Sequence, residues 1–564
     1  MEKVKASWPL WLSLLIIFLI FSPIVGADFF PIDDAGMVHD IQSRTQWNLK
    51  SLFFRDTSTG LYYRPLTYTT YLWDHFWFNA DPAVMHFENL FYHLLNSLWI
   101  YLICGLLLEK ESKHRAFYCA VAALLFGVHP LVTESVSWVS GRTDLLAGFF
   151  LLGATFCLLK YKLTRRWPWI MAALATSFMA LLCKEAAIAF SPAFLLILAA
   201  DSDNPAAVKH KRRYYVLLCL VVAALTVTAF VLMRGLDYSN NNSRIGLTLQ
   251  YISNSPWHSL WLVMRGIGFY LKKMLLPWPL NFAIVDVDPV YELLAIPFVL
   301  LCLWLLVRNR LRSAVFLTGL VLLTPPLAMV FGQVAWTPFA ERYLYLPLGL
   351  MVPATLAGLA GLRMGEALFK YTQVVLLLMI LFFAMTSLRR AWQWSEPMRI
   401  LADTAKKSPY AIRINYVYGT ALGALGRYDE AIVQLKKTSH YASYGFDEKA
   451  DVFLVELYRE MKKSSEAVDV ALKLLEKKNG RSLQAVDQLL AISREFPVEK
   501  SNLLIQVDAL LKKHATPELY LLAAMLYENN NNATSQNYYV IAAQAAIAEM
   551  QGDDVLKRLA QRRH

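Results

Sequence analysis

The sequence has 564 residues, a formal net charge of +12 and an apolar content of 57%, with only 17% charged residues. Soluble domains carry roughly 25% charged residues, so this composition excludes a wholly soluble enzyme, a disordered chain and a disulfide-stapled secreted scaffold. Residues 1–388 contain 30 basic and 22 acidic residues, about 13% of that segment, whereas residues 389–564 contain 25 and 21, about 26%. We therefore predict a membrane domain over 1–388 followed by a water-soluble domain over 389–564.

Eleven apolar stretches of the first domain have the length of membrane-spanning helices, which need roughly 17 to 25 apolar residues. They lie at about 9–26, 90–108, 116–132, 144–160, 167–183, 186–200, 214–233, 291–307, 313–331, 343–362 and 371–388. Segment 256–279 is also apolar, but the later basic loops stay on the inner side only if both of its ends lie outside. We therefore predict an interfacial or re-entrant helix there, with Arg265, Lys272 and Lys273 on its polar side.

The loops between the spans differ strongly in basic residues. One set carries 18 in about 50 positions, and the other set carries about 12 in roughly 150. The positive-inside rule then places the N-terminus in the cytoplasm, 27–89 as the first outer loop, and everything after Leu388 outside the cytoplasm. Because membrane topology accounts for the basic excess, we predict no nucleic-acid partner. Val25-Gly26-Ala27 resembles a signal-peptide cleavage site, and we favour an uncleaved anchor over a cleaved signal.

The second domain has the spacing of a helical repeat. Gly419, Gly426 and Ala431 follow one another at intervals of seven and five, which is typical of the small residues that let two tetratricopeptide helices approach closely. Ala467 lies 36 residues after Ala431 and marks a second copy, and the chain to about Met550 resembles two degenerate copies. We predict a short TPR-like α-solenoid that offers a concave face to a peptide; a generic helical bundle is the alternative.

An acidic pair, Asp33 and Asp34, lies a few residues beyond the first span, where carboxylates are costly. Paired carboxylates suit general-base chemistry, because like charge and partial desolvation raise the pKa of one of them towards neutrality. A solvated turn is the alternative.

A polar stripe follows at steps of three and four on one face of a helix that enters the membrane: His86, Asn89, His93 and Asn96. Such a stripe could line a polar cavity, although a histidine in it could equally be a satisfied core residue. We disfavour metal binding, because His86 and His93 lie two turns apart. The six cysteines all lie in apolar runs, so we expect core-filling side chains rather than a disulfide framework or a metal site: Cys104, Cys119, Cys157, Cys183, Cys219 and Cys302.

Four basic residues are predicted on the outer side: Arg64, Arg142, Lys184 and Arg342. Their convergence would create a site for an anionic group at the membrane surface, and the planar fork of arginine suits phosphate oxygens. Interhelical ion pairs, such as Arg142 with Asp144 or Glu134, are the alternative. We expect other ionisable and polar residues of the same segments to support the site: His129, Glu134, Asp144, Glu185, Glu341 and Tyr343.

Taken together, these motifs resemble a known family. They are Asp-Asp (33–34), Tyr-Arg-Pro-Leu-Thr (63–67), His-Pro-x-x-Thr-Glu-x-Val (129–136), Gly-Arg-x-Asp-Leu-Leu (141–146), Lys-Glu (184–185) and Glu-Arg-Tyr-Leu-Tyr-Leu-Pro (341–347), followed by the repeats. Over nearly the whole chain the combination is similar to the TMTC (transmembrane and tetratricopeptide repeat-containing) O-mannosyltransferases and their bacterial relatives. The resemblance implies a GT-C fold, a polyprenyl-phosphate-linked sugar as donor and a first-loop acid as base, here Asp33 or Asp34. The repeat array is short and degenerate, and nothing in the sequence fixes mannose as the sugar.

We therefore predict an all-α protein, with a GT-C-like membrane domain of about eleven transmembrane helices and a C-terminal TPR-like solenoid. Its predicted activity is an inverting glycosyl transfer from a polyprenyl-phosphate donor to a protein hydroxyl or a glycan on the outer side of the membrane. No divalent metal is predicted. We place the protein in a bacterial inner membrane, with the endoplasmic reticulum as the alternative. A non-enzymatic TPR scaffold would leave the outer charges without a purpose, and a transporter would need carboxylates near the bilayer midplane.

Overall fold

The computed structural model describes residues 8–44, 52–53, 63–109, 114–200, 250–308, 310–331, 337–362, 364–441, 446–528, 532–548 and 553–561. Within these ranges the chain forms helices and no β-strand, and Ile284 and Phe339 make an isolated antiparallel bridge. The predicted all-α class is confirmed. The chain divides into two compact units, Met1–Asp403 and Thr404–His564.

Mostly apolar helices build the described part of the first unit. They are α1 (Trp8–Phe21), α2 (Asp34–Gln42), α3 (Pro65–Phe78), α4 (Pro82–Leu107), α5 (Arg115–Gly127), α6 (Thr133–Ser137), α7 (Arg142–Thr164), α8 (Trp167–Cys183), α9 (Phe190–Ala199), α10 (Pro256–Leu275), α11 (Tyr291–Arg308), α12 (Leu311–Val321), α13 (Thr324–Ala328), α14 (Tyr345–Ala360) and α15 (Glu366–Trp394). Helix α16 (Pro397–Lys407) contains the boundary between the units. The five described cysteines are all buried and form no disulfide, and Cys219 lies outside the described residues.

Proline opens several of these helices, because the first turn has no use for the N–H that proline lacks. Pro65 begins α3, so Arg64 stands immediately before the helix. Pro82 begins α4, where the Asp81 carboxylate accepts hydrogen bonds from the backbone N–H groups of Ala83 at 2.8 Å and Val84 at 3.2 Å. These local signals fix where the polar segments end and the apolar helices start.

Seven helices in the described part of the chain are long and apolar enough to cross a membrane: Trp8–Gly26, Pro82–Leu107, Val139–Thr164, Tyr291–Arg308, Leu311–Phe331, Glu341–Ala360 and Glu366–Trp394. Each coincides with one of the eleven predicted spans. An eighth predicted span corresponds to the pair Arg115–Gly127 and Pro130–Ser137, which is bent by 48°. Two more correspond to the shorter apolar helices Trp167–Cys183 and Glu185–Ala199. The predicted span at 214–233 lies outside the described residues.

Helix α10 is amphipathic and is not one of the seven candidate spans. It exposes Trp257 and Trp261, and it packs so closely on α11 that a Cβ on Gly268 would lie 1.8 Å from a backbone oxygen. Arg265 is partly exposed, but Lys273 is only 3% exposed. The prediction that Lys273 lies on a polar outer face is therefore wrong, because its ammonium group is bound inside the protein.

The second unit is a series of antiparallel helix pairs. Its helices are α17 (Ile412–Ala424), α18 (Tyr428–Tyr441), α19 (Phe446–Glu460), α20 (Ser464–Lys477), α21 (Leu483–Glu495), α22 (Glu499–Lys513), α23 (Pro517–Tyr527), α24 (Asn532–Ala548) and α25 (Asp553–Gln561). Successive helices contact each other, and α17, α19, α21 and α23 also form a contacting row. A Cβ on Gly419 would lie 2.8 Å from the Leu435 side chain, and Ala431 is fully buried. Gly419 and Ala431 therefore lie where α17 and α18 pack closely, whereas Gly426, with a φ of 74°, lies in the turn between these helices.

Candidate active site

The turn that carries the two aspartates is anchored by Asp34. Its Oδ1 accepts hydrogen bonds from the Ser140 backbone N–H at 2.9 Å and the Ser140 hydroxyl at 2.5 Å, and its Oδ2 accepts one from the Phe30 N–H at 3.1 Å. Asp34 is fully buried, and this burial raises its pKa to about 7; the Asp33 charge adds a smaller increase, and the hydrogen bonds oppose the shift. Asp33 itself is exposed and has a φ of 67°, a backbone conformation uncommon for a residue other than glycine.

Trp138 connects this turn to Arg342. Its indole N–H donates a hydrogen bond to the Ile32 carbonyl at 3.3 Å, and the Arg342 guanidinium lies 5.3 Å from the centre of its ring. The Phe30 ring packs edge-on against Trp138. The first outer loop, the segment around Trp138 and the start of the Glu341–Leu344 turn therefore meet at one place.

Three of the four predicted cations form a cluster, here called the cation cluster: Arg64, Lys184 and Arg342. Arg64 pairs with Glu185, the residue after Lys184, and burial together with the charges of Arg64 and Arg342 lowers the pKa of the Lys184 ammonium group. Their side chains are 22%, 13% and 13% exposed, so each is reachable from outside the protein. Each cation pairs with one predicted supporting carboxylate: Arg64 with Glu185 at 3.0 Å, Lys184 with Asp144, and Arg342 with Glu134.

The fourth cation, Arg142, lies elsewhere, in what we call the buried junction: Arg142, Thr70, Asp74, Met85, Glu88 and Asn89. The Arg142 side chain has no exposed surface, and it donates hydrogen bonds to Asp74 at 2.6 Å, Asn89 at 3.0 Å, the Met85 carbonyl at 3.0 Å and Thr70 at 3.3 Å. The Glu88 carboxylate lies 3.1 Å away. The structure differs here from the expectation that Arg142 joins a phosphate site, because protein acceptors surround its guanidinium. The alternative expectation, an interhelical ion pair, agrees with the structure, but the partners of Arg142 are Asp74 and Glu88 and not Asp144 or Glu134.

The polar stripe of α4 is buried. His93 places Nδ1 2.9 Å from the Tyr345 hydroxyl and Nε2 2.9 Å from the Gly127 carbonyl. Asn96 donates hydrogen bonds to the Leu145 carbonyl and to the same tyrosine hydroxyl, both at 2.9 Å. His86 and Asn89 are also buried. Through His93 and Asn96 the stripe binds neighbouring helices to α4, and its lining of a polar cavity stays a prediction.

The remaining predicted residues support the walls of the site. His129 is buried, with Nε2 3.2 Å from the Met274 carbonyl of α10. The Tyr343 ring centre lies 5.0 Å from the Arg342 guanidinium. Glu341 is 3% exposed and pairs with Lys273 at 2.6 Å. Among the described residues, no group of three or more His, Cys, Asp or Glu side chains could hold a metal ion.

The sequence analysis did not name three residues that shape this region, Trp138, Ser140 and Asp74, and it gave Lys273 a different place. A signal existed for Lys273, because Gly266, Tyr270 and Lys273 repeat at steps of four and three on one face of α10 and all are buried. Trp138 and Ser140 lie in the short segment between the motifs at 129–136 and 141–146, which the sequence analysis predicted beside the membrane.

The described part of the first unit thus combines an acidic turn and partly exposed cations with apolar helices, seven of which are long enough to cross a membrane. No family model matches the chain. It is 28% identical over 256 residues to the protein O-mannosyl-transferase tmtc2 of Xenopus laevis, which is 42% of this chain and 28% of that protein. It is 22% identical over 429 residues to the protein O-mannosyl-transferase F38B6.6 of Caenorhabditis elegans, which is 71% of this chain and 58% of that protein. Human TMTC3 is 36% identical over 92 residues, which is 16% of this chain and 9% of that protein.

The resemblance to the TMTC O-mannosyltransferases is thereby confirmed at modest identity. The matched regions span 28%, 58% and 9% of these three relatives, which is less than two thirds of each.

Proposed function

We propose that the protein is an integral-membrane glycosyltransferase of GT-C type, which transfers a sugar from a polyprenyl-phosphate donor to a protein hydroxyl. The observation that carries this proposal is the position of Trp138, whose indole N–H binds the Ile32 carbonyl next to Asp33–Asp34 and whose ring lies 5.3 Å from the Arg342 guanidinium. A base for the acceptor hydroxyl and a cation for the donor phosphate are the two groups that such a transfer needs. The printed names of the relatives make mannose the first sugar to test.

The two aspartates have different roles in this proposal. Both oxygens of Asp34 accept hydrogen bonds from Phe30 and Ser140, and Asp34 is fully buried, which suits a residue that anchors the turn. Asp33 is exposed on the anchored turn with an uncommon backbone conformation, a feature that clusters at functional sites. Since a general base must reach the proton that it removes, we assign that role to Asp33 and positioning to Asp34.

The proposed reaction is a single displacement. The Asp33 carboxylate takes the proton of the acceptor hydroxyl as its oxygen attacks the anomeric carbon. The bond between this carbon and the lipid phosphate oxygen breaks, and the phosphate leaves with the electron pair. Arg64, Lys184 and Arg342 stabilise the negative charge of the departing phosphate, so no acid is required for the leaving group. One displacement inverts the anomeric configuration.

Localisation and acceptor recognition belong to the same proposal. The charge asymmetry of the loops supports an outer-facing site with a cytoplasmic N-terminus. The helix pairs of Thr404–His564, with small residues at their closest approach, support a TPR-like unit that binds the acceptor as an extended peptide. A bacterial inner membrane is our first choice and the endoplasmic reticulum the second.

The test is a transfer assay with the purified full chain, a labelled polyprenyl-phosphate mannose and a library of serine- and threonine-containing peptides. Transfer of label to a peptide, and its loss in Asp33→Asn, supports the proposal. A further arm with other polyprenyl-phosphate sugars covers a different donor. Absence of transfer from every donor, in protein that binds no polyprenyl phosphate, contradicts it and favours a scaffold.

A further inference from the structure

Lys273 is a buried lysine on the buried face of the amphipathic helix α10. It is 3% exposed, its ammonium group lies 2.6 Å from Glu341 Oε1, and it also donates a hydrogen bond to the Pro279 carbonyl. Lysine is almost never buried without a fixed partner, because desolvating its charge is costly. The pair therefore holds the end of α10 to the segment before Arg342.

Glu341 is fixed by more than Lys273. Its Oε1 also accepts a hydrogen bond from the Asn281 backbone N–H at 3.0 Å, and it is only 3% exposed. Glu341 directly precedes Arg342 in the short Glu341–Leu344 turn. Because the two residues are adjacent, fixing the Glu341 carboxylate also restricts the backbone position from which the Arg342 side chain extends.

Two further contacts hold the same segment. The Phe269 ring of α10 lies 5.5 Å from the Phe339 ring, and the Phe339 N–H donates to the Ile284 carbonyl at 3.3 Å. On the other side of the turn, the Arg342 backbone N–H donates to Glu134 at 3.3 Å, and the Arg342 guanidinium pairs with the same carboxylate. Arg342 is thus held between Glu134 and α10.

We propose that Lys273 is a positioning residue for recognition of the lipid phosphate: acting through Glu341, it sets the orientation of Arg342. This inference rests on the proposed function, which assigns Arg342 to the donor phosphate. It also gives α10 a role, because the amphipathic helix with exposed Trp257 and Trp261 is then joined to the phosphate site by one ion pair.

The test compares two double variants of the purified full chain in detergent. Lys273→Met with Glu341→Gln removes both charges, so no unpaired charge stays buried and the net charge is unchanged. The matched control is Arg265→Met with Glu292→Gln, which removes an ion pair of the same 2.6 Å length from the same helix, between α10 and α11 and without contact to Arg342. The dissociation constant for a long-chain polyprenyl phosphate and the melting temperature are measured for each.

We expect the Lys273/Glu341 double variant to bind polyprenyl phosphate about ten-fold more weakly than the unaltered protein, and the control less than about two-fold more weakly. The single variant Glu341→Gln should show most of the same loss, because it removes the group through which Lys273 acts. Equal dissociation constants for the two double variants, at similar melting temperatures, would overturn the inference alone. Failure of the unaltered protein to bind polyprenyl phosphate would contradict the proposed function and the inference with it.

Discussion

Arg142 and Arg342 both lie close to the start of an apolar helix, and each is followed within two residues by a polar or aromatic side chain. Their surroundings nevertheless differ. Arg142 has no exposed surface and binds four acceptor groups of the protein, with a fifth, Glu88, 3.1 Å away. Arg342 is 13% exposed, pairs with Glu134 and lies over Trp138 and Tyr343. Arg142 therefore donates to more protein acceptors than Arg342, whose guanidinium donates to Glu134 and to the Thr337 hydroxyl at 3.5 Å.

The number of carboxylates for each cation also differs between the buried junction and the cation cluster. The buried junction surrounds one cation with two carboxylates, Asp74 and Glu88. In the cation cluster, each cation forms an ion pair with a different carboxylate, and all three cations are partly exposed. Under the proposed function, the donor phosphate would share these cations with their carboxylates.

The largest effect is expected on activity, from substitution of Asp33, the exposed aspartate of the proposed active site. Asp33→Asn removes the proposed base, and loss of general-base catalysis costs about a hundred- to ten-thousand-fold in turnover. Asp28→Asn is the matched control, because Asp28 is another exposed carboxylate of the same loop. Turnover measured with the labelled donor should fall for Asp33→Asn and stay near normal for the control. Near-normal transfer by Asp33→Asn would remove Asp33 from the mechanism.

The buried junction should respond in stability. Arg142→Met leaves the buried Asp74 carboxylate without its partner, which costs about 3 to 5 kcal/mol in the free energy of unfolding. Arg342→Met should cost less, because it leaves fewer buried acceptors without a donor: the Glu134 side chain is only 4% exposed, but it keeps the hydrogen bond from the Arg342 backbone N–H. Thermal unfolding in detergent measures both. Equal melting temperatures for the two variants would remove the distinction between the two regions.

A change of stability with pH is expected through Asp34. Because burial raises its pKa from 3.8 to about 7, the folded protein binds this proton more tightly than the unfolded chain does. The free energy of unfolding should therefore fall as pH rises from about 4 to about 7, by at most about 1.4 kcal/mol per pH unit. Asp34→Asn cannot titrate, so its melting temperature should depend less steeply on pH over this range. Identical pH slopes for the unaltered protein and the variant would show that Asp34 does not titrate there.

Local patterns were sufficient to predict the all-α class and the candidate spans of the described residues. Apolar runs of the right length identified the helices that are candidate spans, because hydropathy depends only on neighbouring residues. The spacing of Gly419 and Ala431 identified a close helix pair for the same reason: both residues lie on one hairpin. The amphipathic character of α10 was also readable from its sequence.

The ion-pair partners of the charged residues could not be predicted from such local patterns. Arg142 pairs with Asp74, 68 positions earlier, and not with Asp144 two positions later, since the partner depends on which helices are neighbours. Lys273 and Glu341 are likewise 68 positions apart. The sequence placed the four cations on one side of the membrane, but only the packing of α3 and α4 against the start of α7 separates Arg142 from the other three.

The most direct test of the central claim, that the cation cluster binds a lipid phosphate, is the affinity of Arg342→Lys for a long-chain polyprenyl phosphate, with the corresponding polyprenol as control. Lysine keeps the charge but loses the planar fork, so about 1.4 to 2.7 kcal/mol should disappear, which is a ten- to hundred-fold weaker dissociation constant. Binding of the polyprenol and the melting temperature should hardly change. A sharp fall in melting temperature with unchanged affinity for the phosphate would contradict the claim and make Arg342 a structural partner of Glu134.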